Sequence, residues 1–409
     1  VNILFIHQNF PGQFRHLAPA LAAAGHRVQA LALHERPVPA GVQRSVYPLR
    51  RGPGKDTHPL LRDAESKVIR GESCAQAMLA LAQQGFVPDL VIANPGWGEA
   101  LFVKDLFPAA KLVCLMEFFH GTPGSDVGFD PEFGAPTVDD RIRLRLRKLA
   151  LTEALLSMDR GVAPTAWQAS RIPAPWRDQV EVVFDGIDTH HVRPDPSACF
   201  EWPAAGLALR PGDPVVSFVN RNLEPYRGYH RFMRALPAIQ RRHPKAQVVI
   251  VGGDGVSYGA AAPAGSSWKQ HFLDEVKQDL DLSRVHFLGQ IPYPALLRLM
   301  QVSAAHVYLT YPFVLSWSCL EAMSAGCHVI GSRTPPVEDF IIDGVNGSLV
   351  DFFDSSALSD AVCRVLDQPG ADAALRAAAR QTVVARCDLQ RLCLPRWRAV
   401  LGEVMGQPV

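Results

Sequence analysis

The chain carries almost no surplus of charge. Its 41 Lys and Arg stand against 40 Asp and Glu, a formal net charge of +1 over 409 residues. That balance gives no electrostatic footprint for nucleic acid, so none is expected as a partner. Cysteine spacing is equally uninformative of chemistry. The eight residues at 74, 114, 199, 319, 327, 363, 387 and 393 include no Cys-x-x-Cys pair. Several sit in apolar runs, so buried reduced thiols of a cytoplasmic protein are expected, and neither disulfides nor a metal site. No apolar run approaches the length needed to span a bilayer. The opening run Ile3 to Ile6 is four residues long with no basic residue before it, so no signal peptide is expected.

Hydrophobic residues are plentiful. At 48% hydrophobic and 20% charged, the chain is expected to fold as a soluble globular protein. Its length exceeds one ordinary core and points to two domains. The first half opens as strand Asn2 to His7, turn Asn9 to Gln13, helix Phe14 to Ala24 with Gly25 as its cap, and strand Arg27 to Leu33. Leu90 to Ala93 leads into the turn Asn94-Pro95-Gly96-Trp97-Gly98, and Lys111 to Met116 leads into Glu117 to Gly121. Such alternation predicts an α/β fold with a mainly parallel, doubly wound sheet. Asp185-Gly186 and a proline-containing stretch from Arg193 mark a boundary, placed between residues 192 and 193. From Pro214 the rhythm repeats, with strands Val215 to Val219, Gln247 to Gly252, Val285 to Leu288, Ala305 to Thr310, Cys327 to Ser332 and Ser348 to Val350. Leu389 to Val404 reads as a closing helix expected to pack back on the first domain.

The stretch Ala305 to Ile330 says most about function. A buried strand gives way to a loop with Pro312, then a helix begins near Leu315 to Ser318 and ends at Gly326. Glu321 is the only carboxylate between Asp281 and Glu338, and it is expected at the strand-to-helix turn. In open α/β sheets ligands bind outside the carboxyl ends of the strands. The amino end of that helix would favour phosphate, with Ser316 or Ser318 as cap. Glu321 could accept hydrogen bonds from two vicinal hydroxyls, or simply compensate the helix dipole. In NRNLEPYRG, Asn220 to Gly228, Arg221 and Arg227 flank another such turn. They could hold a diphosphate or be two solvated arginines. VGGDG, Val251 to Gly255, would let backbone at Gly253 approach a ligand, though a tight turn is the plainer reading.

These turns together resemble the retaining nucleotide-sugar glycosyltransferases of the GT-B fold, glycosyltransferase family 4. DGIDTHHVRP resembles the family's interdomain segment, and NRNLEPYRG its Gly-Arg…Lys-Gly diphosphate turn. VHFLGQI resembles the strand and loop beside the base. LEAMSAG with VEDFIIDGVNGSLV resembles the signature helix and the Glu, Asp-Gly, Asn-Gly run after it. The resemblance implies two Rossmann-like domains facing across a cleft, the first (1–192) on the acceptor side and the second (193–388) on the donor side. It implies a hexosyltransferase that retains anomeric configuration and needs no metal or cofactor. The co-substrate would be a nucleotide-diphosphate sugar, a UDP-sugar before a GDP-sugar. The acceptor would be a glycan, a lipid-linked molecule or a small molecule, as in bacterial surface glycan synthesis.

Residue by residue, the resemblance implies that Arg221 and Arg227 neutralise the departing diphosphate. Leu315 and Ser316 would meet it at the helix end, Glu321 would bind the ribose, and Gly289, Gln290 and Ile291 would meet the base. Gly12 would approach the diphosphate or acceptor from the first domain, with His120 near the donor sugar. The family's Glu-x7-Glu pair is broken here: the first position holds Phe313. A carboxylate contact to the sugar would then have to come from Glu224 or Glu117. Rival readings are a catalytically silent sugar-nucleotide-binding subunit and a GT-B relative such as a nucleotide-sugar epimerase. Trp97 could stack on an acceptor sugar or simply pack. The acids Asp126, Asp130 and Glu132 lack a calcium-loop pattern, and a solvated or acceptor-facing loop is expected. The run Arg141, Arg143, Arg145, Arg147, Lys148 could meet anionic lipid at a membrane surface, but a helix with a solvated basic face is the default.

Overall fold

Short runs of Val, Ile, Leu and Ala build two parallel sheets in this computed structural model, which describes residues 1–122 and 124–409. The chain divides into two compact units, Val1–Gly186 with Leu389–Val409, and Ile187–Asp388. The first division thus falls a few residues before the 192/193 boundary expected from the prolines.

In the first unit, β1 (Asn2–Ile6), β2 (Arg27–Ala32), β3 (Val42–Val46), β4 (Leu90–Ala93), β5 (Lys111–Leu115), β6 (Arg160–Ala163) and β7 (Val180–Val182) form one sheet. Its order is β3-β2-β1-β4-β5-β6-β7 and every neighbouring pair is parallel. Parallel strands are covered on both faces, so they read as unbroken apolar runs. Leu4, Ile6, Val91 and Ala93 join Met78 and Phe86 in one core cluster. Ile3, Phe5, Leu90 and Ile92 join Phe10, Phe14 and Trp397 in another. The strand order reverses between β1 and β4, which opens a crevice at their carboxyl ends.

The second unit begins with an antiparallel hairpin, β8 (Phe200–Trp202) and β9 (Leu207–Leu209). Its sheet holds β10 (Val215–Asn222), β11 (Gln247–Gly253), β12 (Val285–Gly289), β13 (Ala305–Tyr308), β14 (His328–Ser332) and β15 (Ser348–Val350). The order is β12-β11-β10-β13-β14-β15, again all parallel, with the switch point between β10 and β13.

The chain's end returns to the first unit. The segment expected as one helix is a π turn, Leu389–Cys393, followed by the helix Leu394–Met405. Trp397, Val400 and Leu401 of that helix complete the core beneath β1. All cysteines but Cys199 are buried, with Cys74, Cys114, Cys319, Cys327 and Cys363 as free thiols. Burial pushes the Cys114 and Cys327 thiols up to about 12, so neither is a nucleophile at neutral pH.

Candidate active site

In the first unit a hydrogen-bonded chain crosses the carboxyl ends of β1, β4 and β5. His7, directly after β1, accepts the Asn9 N–H on Nδ1 at 3.0 Å. Its Nε2 therefore carries the proton and donates to Gln13 Oε1 at 2.7 Å. Gln13 Nε2 donates to Glu117 Oε1 at 2.7 Å, and Asn94 Nδ2 donates to Glu117 Oε2 at 3.3 Å. Burial lowers the His7 pKa to about 4, so the ring is neutral and this tautomer is consistent. Gly12, at φ +47°, lies over the ring; a Cβ there would stand 2.4 Å from His7 Cε1. Only glycine allows that approach. Trp97 is half-buried with its ring edge-on to His7, 4.9 Å between centroids, so it packs on this network.

Gly12, Glu117 and Trp97 are thus brought together, but by His7, Gln13 and Asn94, which no sequence motif singled out. Each follows a strand or lies in the first turn, a position that could have flagged them. His120 sits further along the loop and pairs through Nδ1 with Asp126 Oδ2 at 2.6 Å. Burial works to raise the Asp126 carboxyl, and the His120 hydrogen bond and charge, with the Gly121 N–H and Ser125, outweigh it and hold it low. Asp126 and Asp130 are buried and Glu132 is exposed, so of these three acids only Glu132 is solvated. The tight turn Pro131–Phe133 explains Asp130, whose carboxylate accepts the Glu132 N–H at 3.0 Å.

In the second unit the two arginines behave differently. Arg221 is exposed near the end of β10. Arg227 is buried, and its Nη1 donates to Tyr308 Oη at 3.2 Å, Thr310 Oγ1 at 2.9 Å and the Val314 carbonyl at 2.8 Å. It is therefore no solvated arginine. Burial opposes its charge, and Tyr308, Tyr258 and Glu224 nearby reverse that effect. Gly228 makes the turn possible: at φ +66° a Cβ would lie 2.4 Å from Leu309 Cβ.

Phe313 packs inward against Tyr258, Tyr226 and the Arg227 guanidinium, with centroids 4.7 and 5.6 Å from the two tyrosines. Glu224 does not replace the missing carboxylate. It is 1% exposed and accepts backbone N–H groups from Ser257, Tyr258 and Gly259 at 3.2–3.3 Å. Those bonds anchor the 257–259 loop and orient Glu224 toward it. Burial to this degree, with the carboxylate bonded to that loop, leaves it no exposed face for a sugar hydroxyl.

Ser316 caps the Trp317–Ala325 helix, its side chain accepting the Ser318 N–H. The Ser316 N–H donates to Tyr308 Oη at 2.7 Å, so one tyrosine joins the Arg227 turn to the helix start. Leu315 is buried beside it. Glu321 is not in the strand-to-helix turn as expected. It lies in the second turn of the helix, buried, and accepts the Tyr293 hydroxyl on Oε1 at 2.9 Å. Dipole compensation fades beyond the first turn, so that reading loses its force. Tyr293 begins the helix just after Gly289, Gln290 and Ile291. Gly289 has φ +66° and ends β12, Gln290 is exposed, and Ile291 is half-buried. Gly253 ends β11 close to Asn222 and Gln290: a Cβ there would be 2.6 Å from Asn222 Oδ1. The carboxyl edge of this sheet therefore combines cationic groups, a capped helix start and a buried carboxylate. That set suits a ligand with an anionic middle and a hydroxyl-rich end.

Residues 24–192 match the family described as "Glycosyl transferase family 4 group", and residues 205–382 match "Glycosyl transferases group 1". The D-inositol 3-phosphate glycosyltransferase of Nocardia farcinica is 28% identical over 227 residues, 54% of this chain and 48% of that protein. The glycogen synthase of Mycobacterium tuberculosis is 26% identical over 234 residues, 57% of this chain and 51% of that protein. This chain thus spans about half the length of these curated relatives. Anabaena Alr3699/HepE, solved with UDP and glucose, superposes with a TM-score of 0.68 at 17% identity, covering 98% of this chain and 99% of its own.

Proposed function

Because the chain belongs to the family 4 glycosyltransferases of the GT-B fold, we propose that it transfers a sugar from a nucleotide-diphosphate donor to a glycan, lipid-linked or small-molecule acceptor, with retention at the anomeric carbon and without a metal. One observation carries the reading: Glu321, a buried carboxylate on the capped Trp317–Ala325 helix, held by the Tyr293 hydroxyl. In this reading it accepts hydrogen bonds from the ribose. Negative charge grows on the departing diphosphate, and Arg221, Arg227 and the helix start oppose it where it develops. The first unit would be the acceptor side, with Gly12, Trp97, Glu117 and His120 facing the substrate. A UDP-sugar is the first donor to try, since the Anabaena neighbour was solved with UDP and glucose. The relatives' names, an inositol phosphate glycosyltransferase and a glycogen synthase, support glycan or polyol acceptors equally.

The test has two steps. Thermal shifts against UDP-, GDP-, ADP- and dTDP-sugars find the donor, since a ligand of the folded state raises its melting temperature. Incubation with acceptors then gives a product whose anomeric configuration is read by NMR. No shift with any donor, or an inverted product, would overturn the reading. Phe313, packed on Arg227, favours a second possibility, donor binding without transfer. Saturable nucleotide binding with no product across a wide acceptor panel would select it.

A further inference from the structure

We propose that the outer face of the Val138–Arg147 helix and its continuation, Leu149–Ser157, is a docking surface for an anionic lipid bilayer. The helix starts at a capping box between Thr137 and Asp140. Its inner side is fixed: Leu144 is buried, Leu151, Ala154 and Leu155 enter the core, and Lys67 donates to the Arg147 carbonyl. The outer side is unusual. Val138, Ile142 and Leu149 are 61%, 40% and 46% exposed, and Leu156 is 65% exposed.

Val138, Ile142, Arg145 and Leu149 recur at i, i+4, i+7 and i+11, one stripe of a helix. Lys148, at φ −87° and ψ 0°, keeps the backbone near helical where the two helices meet, and Leu156 extends the stripe at i+7 from Leu149. Arg141 flanks it, whereas Lys148 holds its ammonium over the Phe119 ring, 4.8 Å from the centroid, and Arg143 and Arg147 fall toward the other side of the helix. Over the two helices, Val138 to Ser157, five cations, Arg141, Arg143, Arg145, Arg147 and Lys148, stand against three acids, Asp139, Asp140 and Glu153, a net +2 in a chain whose total is +1. None of the four arginines has an ion-pair partner among the described residues, and Arg141 donates only to the Pro136 carbonyl.

Exposed apolar side chains with Arg145 among them and Arg141 beside them supply the two signals that stable interfacial binding needs. Anionic head groups would meet the cations while Val138, Ile142, Leu149 and Leu156 enter the acyl boundary. A nucleic acid would leave the apolar stripe in water. A second copy docked by this same face would set like charges against each other. No helix among the described residues is long and apolar enough to cross a membrane, so the contact would be peripheral. The proposal does not rest on the glycosyl-transfer reading.

The experiment is co-sedimentation of the full chain with phosphatidylcholine vesicles, with or without phosphatidylglycerol. Binding is expected only with the anionic lipid, and it should weaken as salt rises. Reversing two charges with Arg141→Glu and Arg145→Glu should lower the partition coefficient by about thirtyfold or more. The pair Ile142→Asp and Leu149→Asp should do the same, and an unchanged melting temperature would show that the fold survives. Equal binding to neutral vesicles, no binding to either, or variants that bind like wild type would overturn the proposal. So would dimers in sedimentation velocity that the apolar pair abolishes without any vesicle binding, or retention on heparin without vesicle binding.

Discussion

Arg221 and Arg227 share a turn and differ in consequence. Arg221 is exposed and its side chain has no hydrogen bond or ion pair among the described residues, so Arg221→Ala should leave the melting temperature in place. If it opposes a developing anion, turnover should fall by about 2.7–4 kcal/mol in transition-state terms. Arg227→Ala should do both. It removes the donor to Thr310 Oγ1 and the Val314 carbonyl, while Tyr308 keeps the Ser316 N–H, and a buried acceptor left unsatisfied costs about 1–3 kcal/mol. Urea denaturation of the two variants beside steady-state rates separates the effects; equal stability loss in both would refute the distinction. Glu321 makes a third case. Glu321→Ala should weaken nucleoside diphosphate binding by roughly 1.5–3 kcal/mol, the worth of a hydrogen bond to a charged group. Calorimetry measures it, and unchanged affinity would confine Glu321 to its bond with Tyr293.

At the scale of elements, the His7–Gln13–Glu117–Asn94 chain ties β1, β4 and β5 at their carboxyl ends. Burial lowers His7 from 6.5 to about 4. Between those values the unfolded chain binds the proton and the folded chain does not, so stability rises with pH across that window and is lost as pH falls through it. The full difference is about 3 kcal/mol. His306, buried in β13 and 2.8 Å from Ser217 of the neighbouring β10, is lowered to about 4 for the same reason and acts in the same direction. Urea midpoints at pH 7.5 and pH 5 should differ less in His7→Gln than in wild type. An equal drop in both would show that His7 charges freely. Much of this layer was readable in advance. Leu90 to Ala93 and Ser348 to Val350 are strands within the expected bounds, because an apolar run between turn residues leaves little choice. β3, β6, β7 and the β8–β9 hairpin were not anticipated. Val42–Val46 and Phe200–Trp202 are short and interleaved with polar or charged residues, so no periodicity stands out.

At the scale of the molecule, the closing helix is part of the first unit's core although it follows the whole second unit in sequence. Removing residues 394–409 would uncover Phe5, Phe14 and Leu17 by taking away Trp397, Val400 and Leu401. Burying each such side chain contributes about 1.5–3 kcal/mol, so the truncated chain should lose roughly 5 kcal/mol or more in the first unit alone. Two-step urea unfolding should show the early transition shifted and the later one kept, or the reverse if the second unit is the weaker; no shift in either would refute the role of this helix. Chelation bears on the same scale. The chain's Asp-x-Asp, Asp279-Leu280-Asp281, precedes β12 and so lies at the end of the sheet away from the candidate site, with Asp281 bonded to Ser283 and Arg284. Activity is therefore expected to survive EDTA, and complete loss restored by manganese or magnesium would contradict that.

Local pattern was enough for the alternation of strands and helices, the parallel sheets, the glycine turns at strand ends and the motif order that marks the family. All of these depend on neighbours a few residues apart, where period and turn chemistry act directly. It was not enough for what each side chain in those turns does. Arg227 is buried because Tyr308, Thr310 and Val314, more than eighty residues later, come back to meet it. Glu224 is turned toward the 257–259 loop, Phe313 faces inward, and Glu321 is buried in the second turn of its helix against the Tyr293 hydroxyl. Burial and hydrogen-bond partners are properties of chain segments distant in sequence, and only their packing decides them.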